Sequence, residues 1–241
     1  DKRGDPMFTK IEPPGLLRKI VDQVKQNIAS GNLKKGDKLP SERQMSEMFG
    51  LSRATIREAI KALNTLGIIE CSHGSGNYIS SNLSNSLTEP LSIMFMLEGG
   101  HPGHTLELRR AIEFAAAGSA ARNIEETELA RLRALCDCIE ASTDENEKAR
   151  YDFQFHREIA RASGNPLLIV LLNAVETLIS EHVHDARASI LKDSSKEDII
   201  NRQHRDIVDA LSRSSPEEAE KAVLAHIELI RENMTGYVNR Q

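Results

Sequence analysis

Four polar side chains in the C-terminal half of the chain occupy the centres of otherwise apolar helix faces. Asp152 and His156 are four residues apart on a predicted helix, so they project from the same side of it. His204 and His226 each lie among aliphatic residues at helical spacing on two later predicted helices. Burying an unpaired carboxylate or polar imidazoles costs free energy, so these side chains need partners inside the protein.

The two later histidines are related by the turn between their helices. That turn is centred on Ser215, which lies 11 residues from His204 and 11 from His226. If the helices pack as an antiparallel hairpin, both imidazoles stand at the same height along it. One aspartate and three inward-facing histidines form a ligand set suited to a divalent ion such as Zn²⁺ or Ni²⁺. The alternative is that each histidine is a core residue with an ordinary hydrogen-bond partner.

Helical periodicity and capping signals predict the elements that would position these side chains. No strand pattern is present from Thr105 onward. Asn123 with Glu126 predicts a capping box, and Asn165 before Pro166 predicts another helix start. The predicted helices cover residues 90–97, 105–122, 123–141, 145–162, 165–190, 195–212 and 215–238. The C-terminal part is therefore predicted to be an all-α bundle of about six to seven helices.

The N-terminal third has the pattern of a winged helix-turn-helix. Ser41 and Ser52 are placed to cap two short amphipathic helices, and Gly50 lies in the turn between them. An amphipathic helix is predicted before them over residues 16–30, and two strands follow around the glycine-rich turn at 74–77. The predicted fold is mainly α, with a small β wing in the N-terminal domain and a helical C-terminal bundle.

Charge is divided between the two parts of the chain in a way that favours DNA binding by the first. Residues 1–80 carry 13 Lys/Arg against 9 Asp/Glu, whereas the remainder carries 18 against 27, for a net charge of −5 overall. Arg53, Thr55 and Arg57 lie near the start of the second short helix, the end of a recognition helix that reaches base edges. The first domain alone has the sign of charge that phosphate contact requires.

The stretch LPSERQMSEMFGLSRATIREAI, with the glycine-rich wing after it, closely resembles the DNA-binding domain of GntR-type bacterial transcription factors. The resemblance implies contacts to operator DNA from the PSER arginine, the first turn of the second helix and the wing tip. The corresponding residues are Arg43, Ser52, Arg53, Thr55, Arg57, His73 and Gly74. The alternative for Arg43 and Arg57 is an ordinary surface charge.

The C-terminal half resembles the FCD effector domain of the FadR-like GntR subgroup. Four positions match the ligands of metal-containing members: Asp152, His156, His204 and His226. Acyl-CoA-responsive members lack this set, so its presence argues against a fatty-acyl ligand. Metal-containing members commonly sense small carboxylates or sugar acids, and the resemblance therefore implies an effector of that class. Arg109 matches an arginine that such members direct into the pocket, where its guanidinium would bind the effector carboxylate. The alternative for Arg109 is an i,i+4 ion pair with Glu113.

Composition bounds the remaining possibilities. The chain is 39% hydrophobic and 28% charged, with no apolar run long enough to cross a membrane. Cys71, Cys136 and Cys138 lack C-x-x-C spacing, which predicts reduced thiols in a cytoplasmic protein.

Together these patterns predict a cytoplasmic, homodimeric transcriptional repressor whose operator affinity is controlled by the acid effector. Residues 1–80 are assigned to DNA binding, 81–104 to a linker with a short helix, and 105–241 to metal binding, effector binding and dimerisation. One alternative is a metal-responsive regulator, in which the ion itself is the signal. The other is a helical metalloenzyme, since such a ligand set with an open position also suits catalysis, although no Glu or His is placed as a general base.

Overall fold

Two structural units make up the chain, the first ending at Ser86 and the second beginning at Leu87. The structure is a computed structural model that describes residues 15–72, 75–81, 85–176, 178 and 194–238. Each unit is described by itself below. Within the described residues, no helix combines the length and the apolar character that crossing a bilayer requires.

The first unit consists of three helices and a two-stranded wing. Its elements are α1 (Gly15–Ala29), α2 (Glu42–Phe49), α3 (Arg53–Thr65), β1 (Ile69–Ser72) and β2 (Gly76–Ile79). The strands are antiparallel, with Ile69 opposite Ile79. A core of aliphatic side chains from all three helices and both strands includes Ile20, Met45, Ile56 and Leu63. The predicted winged helix-turn-helix is confirmed.

The turn between α2 and α3 follows from three residues. The Ser41 hydroxyl accepts from the backbone N–H of Gln44 at 3.3 Å and caps α2. Gly50 ends that helix with φ 63°, a left-handed conformation that favours glycine. The Ser52 hydroxyl then accepts from the backbone N–H of Thr55 at 3.1 Å and caps α3. These caps set the start of the helix that carries the predicted DNA contacts.

The second unit is helical throughout its described residues. Helix α4 (Asn85–Leu97) begins at the end of the first unit and continues into the second. The others are α5 (Pro102–Asn123), α6 (Glu126–Ala141), α7 (Glu145–Ala162), α8 (166–176), α9 (Ser194–Ser212) and α10 (Pro216–Val238). The predicted continuation of α8 to residue 190 lies outside the described residues, apart from Leu178. The mainly α fold class is confirmed.

Three helix starts differ from the sequence-based prediction. Helix α4 begins at Asn85 rather than at Pro90, which lies inside it. Helix α5 begins at Pro102 rather than Thr105, because His101 caps it by accepting from the backbone N–H of Gly103 at 3.1 Å. The predicted capping box at Asn123 is wrong, because α5 continues through that residue. The capping box lies two residues later, where the Glu125 backbone N–H donates to the Glu128 carboxylate at 3.0 Å.

Helices α5, α7, α9 and α10 surround the centre of the second unit. Helix α5 packs against α7 and α10, and α9 packs along α10 as the predicted hairpin. Helix α6 covers α7 and α9 from another side. Fully buried apolar side chains, among them Phe155, Leu132, Ile207, Leu211 and Val223, fill the space between them. The four predicted metal ligands project into this core.

Candidate metal centre and nucleic-acid surface

Three helices bring the four predicted ligands together. Asp152 and His156 come from α7, His204 from α9 and His226 from α10, and all four are at most 5% exposed. One ligand atom from each lies within 4.8 Å of every other. Two atoms bonded to one Zn²⁺ ion at about 2.1 Å are about 3.4 Å apart in the usual tetrahedral geometry, so the four side chains must move closer together when they bind an ion. With that contraction, the group could hold a metal ion.

Asp152 sits between two of the imidazoles. Its Oδ1 lies 3.1 Å from Nε2 of His204 and 3.9 Å from Nε2 of His156. The ring centroids of His204 and His226 are 4.7 Å apart, as the equal spacing about Ser215 predicted. The carboxylate thus faces Nε2 of both rings.

Both ring nitrogens of His226 are buried without a hydrogen-bond partner among the described residues. The residue as a whole is fully buried. Burial, with the nearby rings of His204 and His156, holds the pKa of His226 well below its ordinary value. A neutral imidazole with an unused nitrogen is the form that binds a metal ion.

A second carboxylate, Glu113 of α5, also reaches the cluster. Its Oε2 lies 2.7 Å from Nδ1 of His156, and its Oε1 accepts from Nε of Arg109 at 2.5 Å. The approach to His156 is close in distance but is not aligned as a hydrogen bond. Burial raises the pKa of Glu113, but Arg109 and His156 outweigh burial and lower it to about 2.

The sequence prediction did not assign Glu113 to the metal centre. The i,i+4 spacing from Arg109 indicated an ion pair, but it held no information about a contact with His156. Helix α5 is rich in alanine and apolar on most sides, so periodicity does not show which of its faces meets α7. Only the packing of α5 against α7 reveals this contact.

Arg109 forms the ion pair that was the alternative to effector binding. It is 3% exposed and bonded to Glu113, and its Nη1 lies 3.7 Å from Oε2 of Glu176 in α8. Burial lowers the pKa of Arg109, but the charges of Glu113 and Glu176 outweigh burial and raise it. Its Nη2 is buried and has no hydrogen-bond partner among the described residues.

The predicted DNA-contacting residues in the described part of the first unit lie at or near its surface. The Arg43 side chain is 69% exposed and 3.8 Å from Glu47. Arg53 is exposed in the first turn of α3, and Thr55 is half-buried. The hydroxyls of Ser52 and Thr55 lie 2.9 Å apart, so both belong to the helix cap. His73 and Gly74 of the predicted wing tip lie outside the described residues.

Arg57 is bound to another side chain of the same unit. Its Nη2 donates to Oε2 of Glu42 at 3.0 Å, and its Nε approaches the same carboxylate at 3.3 Å. The pair bridges α2 and α3 while the Arg57 side chain remains 58% exposed. A surface pair of this kind is worth only about 0–1 kcal/mol, so it does not prevent Arg57 from meeting DNA.

Comparison with known proteins identifies both units. The model for bacterial regulatory proteins of the gntR family matches residues 16–79, and the FCD domain model matches residues 104–229. The chain belongs to the GntR family. HTH-type transcriptional regulator LutR of Bacillus subtilis (strain 168) is 35% identical to it over 216 residues, covering 87% of this chain and 97% of LutR.

Two further GntR relatives agree with this assignment. HTH-type transcriptional repressor NanR of Cronobacter sakazakii is 29% identical over 217 residues, covering 88% of this chain and 82% of NanR. The solved structure of Streptococcus agalactiae GntR is 28% identical, with a TM-score of 0.67, and covers 90% of this chain and 99% of that one. The GntR protein described here is therefore a DNA-binding transcriptional regulator with an effector-binding FCD domain, and not an enzyme.

Proposed function

We propose that this regulator is a homodimeric repressor whose affinity for operator DNA is controlled by a small carboxylate or sugar acid. The effector binds at a divalent ion, Zn²⁺ or Ni²⁺, held by Asp152, His156, His204 and His226. Residues 1–80 bind the operator, 81–104 connect the two parts, and 105–241 bind the ion and the effector and form the dimer. NanR, a relative over most of the chain, bears the name of a repressor.

The observation that carries the metal assignment is the polar group inside the apolar core of the second unit. Buried polar atoms almost always have a partner, yet both ring nitrogens of His226 lack one among the described residues. A divalent ion bonded to three imidazoles and one carboxylate provides such a partner, and an ion that expands beyond four ligands can also bind an effector oxygen. Imidazole ligands with a single carboxylate favour a borderline ion such as Zn²⁺ or Ni²⁺ over Mg²⁺ or Ca²⁺.

Charge supports an acidic effector at this centre. A divalent ion bound by one aspartate and three neutral histidines keeps a net positive charge. Arg109 pairs with Glu113, whose other carboxylate oxygen lies 2.7 Å from Nδ1 of His156, so the guanidinium lies next to the metal centre. Nη2 of Arg109 has no hydrogen-bond partner among the described residues. One oxygen of an effector carboxylate can accept a hydrogen bond from it while another oxygen of the effector binds the ion.

The operator is bound by residues of the first unit. We assign base or phosphate contacts to Arg43, Ser52, Arg53, Thr55, Arg57, His73 and Gly74. The capped start of α3 presents Arg53 on the surface, as a recognition helix requires. A single winged helix makes few base contacts, so two copies related by a two-fold axis and a near-palindromic operator supply the missing specificity.

The proposal is tested by operator titrations of protein stripped of metal, reloaded with Zn²⁺ or Ni²⁺, and offered lactate, citrate and gluconate as probes. We expect at least one acid to weaken DNA binding by reloaded protein, and none to affect stripped protein. A response to these acids that survives stripping would contradict the role of the ion. A response to the ion without any acid would instead support the metal-responsive alternative.

A further inference from the structure

Glu113 contacts two partners, one with each carboxylate oxygen. Oε1 accepts from Nε of Arg109 at 2.5 Å, and Oε2 lies 2.7 Å from Nδ1 of His156. The side chain is 3% exposed and projects from α5, whereas the four candidate ligands come from α7, α9 and α10. A buried carboxylate therefore reaches the cluster from outside the ligand set.

The two nitrogens of His156 face different groups. Nδ1 lies near Glu113, and Nε2 faces Oδ1 of Asp152 at 3.9 Å within the candidate metal group. A neutral imidazole carries its proton on one nitrogen and offers a lone pair on the other. The negative charge of a carboxylate 2.7 Å from Nδ1 attracts the proton to that nitrogen, although the contact is not aligned as a hydrogen bond. The lone pair then stays on Nε2, the nitrogen that faces Asp152.

We propose that Glu113 is a positioning residue of the metal centre rather than a ligand. It holds the proton on Nδ1 of His156, sets the rotation of that ring and thereby makes Nε2 the metal-binding atom. Arg109 neutralises the Glu113 carboxylate from the other side, so the charge is kept in the apolar core. This inference rests on the proposed function, in which the four-residue group holds a divalent ion.

Glu113→Gln is the variant that tests this role, because it preserves shape but removes the charge that retains the proton. Glu158→Gln is a matched control. Glu158 is a buried carboxylate of α7 that pairs with Arg131 and Arg161, away from the candidate ligands. Stripped wild type and both variants are titrated with Co²⁺, and the d–d absorption spectrum and the Co²⁺ dissociation constant are recorded.

We expect Glu113→Gln to weaken Co²⁺ binding by about 10- to 100-fold and to change the d–d spectrum, as loss of a carboxylate behind a histidine ligand does. Glu158→Gln should retain the affinity and the spectrum of wild type. Glu113→Asp, which keeps the charge one methylene farther from the ring, should recover part of the affinity. If Glu113→Gln does not fold, the double variant Arg109→Gln/Glu113→Gln is titrated in its place. The double variant removes both charges of the pair, so neither residue is left as an unpaired buried ion.

Two results separate failure of this inference from failure of the proposed function. Wild type that does not bind Co²⁺ or Zn²⁺ at all would overturn both. Wild type that binds Co²⁺, with Glu113→Gln equal to it in affinity and spectrum, would overturn only the role of Glu113. Equal losses in Glu113→Gln and Glu158→Gln would also overturn it, because the effect would then reflect general destabilisation.

Discussion

Each unit contains an arginine–glutamate ion pair, and the two pairs differ in burial and therefore in how easily they can be broken. Arg57 pairs with Glu42 on the surface of the first unit, where its side chain is 58% exposed. Arg109 pairs with Glu113 inside the second unit, where both side chains are at most 4% exposed. Water and salt weaken the first pair, so Arg57 can exchange Glu42 for DNA. The second pair cannot be broken without leaving a buried charge, so Arg109 belongs to a fixed network.

The largest expected effect comes from breaking the buried pair. Arg109→Leu removes the cation and leaves Glu113 and Glu176 without it. The free energy of unfolding should fall by about 3–5 kcal/mol, the usual cost of an uncompensated buried charge. Urea denaturation followed by circular dichroism measures this loss. A decrease under 1 kcal/mol would show that the pair in α5 behaves like a surface pair.

Loss of a ligand should have the next largest effect. His204→Ala removes one of the four candidate metal ligands, so the variant should bind little Zn²⁺ and should lose the response to the acid effector. At Zn²⁺ concentrations about 100 times the dissociation constant, ion binding stabilises wild type by about 2.7 kcal/mol, and the variant should not gain this. Thermal melts with and without Zn²⁺ make the comparison. Basal DNA binding by His204→Ala should remain near that of wild type.

The next prediction concerns Arg53, an exposed arginine in the first turn of α3, and its effect on DNA sequence discrimination. Arg53→Ala should reduce discrimination between the operator and a mismatched site by about 1–3 kcal/mol, the value of one bidentate contact to a base. Stability and Zn²⁺ binding should not change, because Arg53 lies on the surface of the first unit. Fluorescence anisotropy titrations give the dissociation constants for the operator and for the mismatched site, and their ratio measures the discrimination. Unchanged discrimination would remove Arg53 from the base-reading residues.

The smallest expected effect concerns the partner of Arg57. If Arg57 contacts the operator as proposed, Glu42 competes with DNA for its guanidinium, and Glu42→Gln should tighten operator binding. Stability should change by less than about 1 kcal/mol, since the pair is exposed. Salt-dependent anisotropy titrations measure the gain in affinity. Weaker binding by the variant would mean that Glu42 places Arg57 for DNA contact rather than competing for it.

Sequence alone predicted the fold class and the convergence of four polar side chains for physical reasons. On α7, α9 and α10, the apolar positions recur on one face, so the direction of Asp152, His156, His204 and His226 can be assigned from periodicity. Helix α5 lacks this contrast, and the contact between Glu113 and His156 therefore could not be predicted. The pairing of Glu42 with Arg57 spans 15 residues and depends on the angle between α2 and α3, which no local pattern encodes.

Helix starts were predicted correctly where a residue type that commonly caps helices marks them, and incorrectly where an uncommon cap does. Ser41 and Ser52 cap α2 and α3 as predicted, since a hydroxyl at that position bonds within its own turn. The start of α5 was placed too late because histidine is not a common cap, yet the imidazole of His101 accepts the bond that a serine or an aspartate usually would.

The central claim is that Asp152, His156, His204 and His226 bind one divalent ion in the core of the second unit. Anomalous diffraction from crystals of Zn²⁺-loaded protein, recorded on both sides of the zinc absorption edge, tests it most directly. The account predicts one strong anomalous peak per chain, bonded to all four side chains at about 2.0–2.2 Å. Data that show no peak among these residues, from protein supplied with excess Zn²⁺, would contradict it.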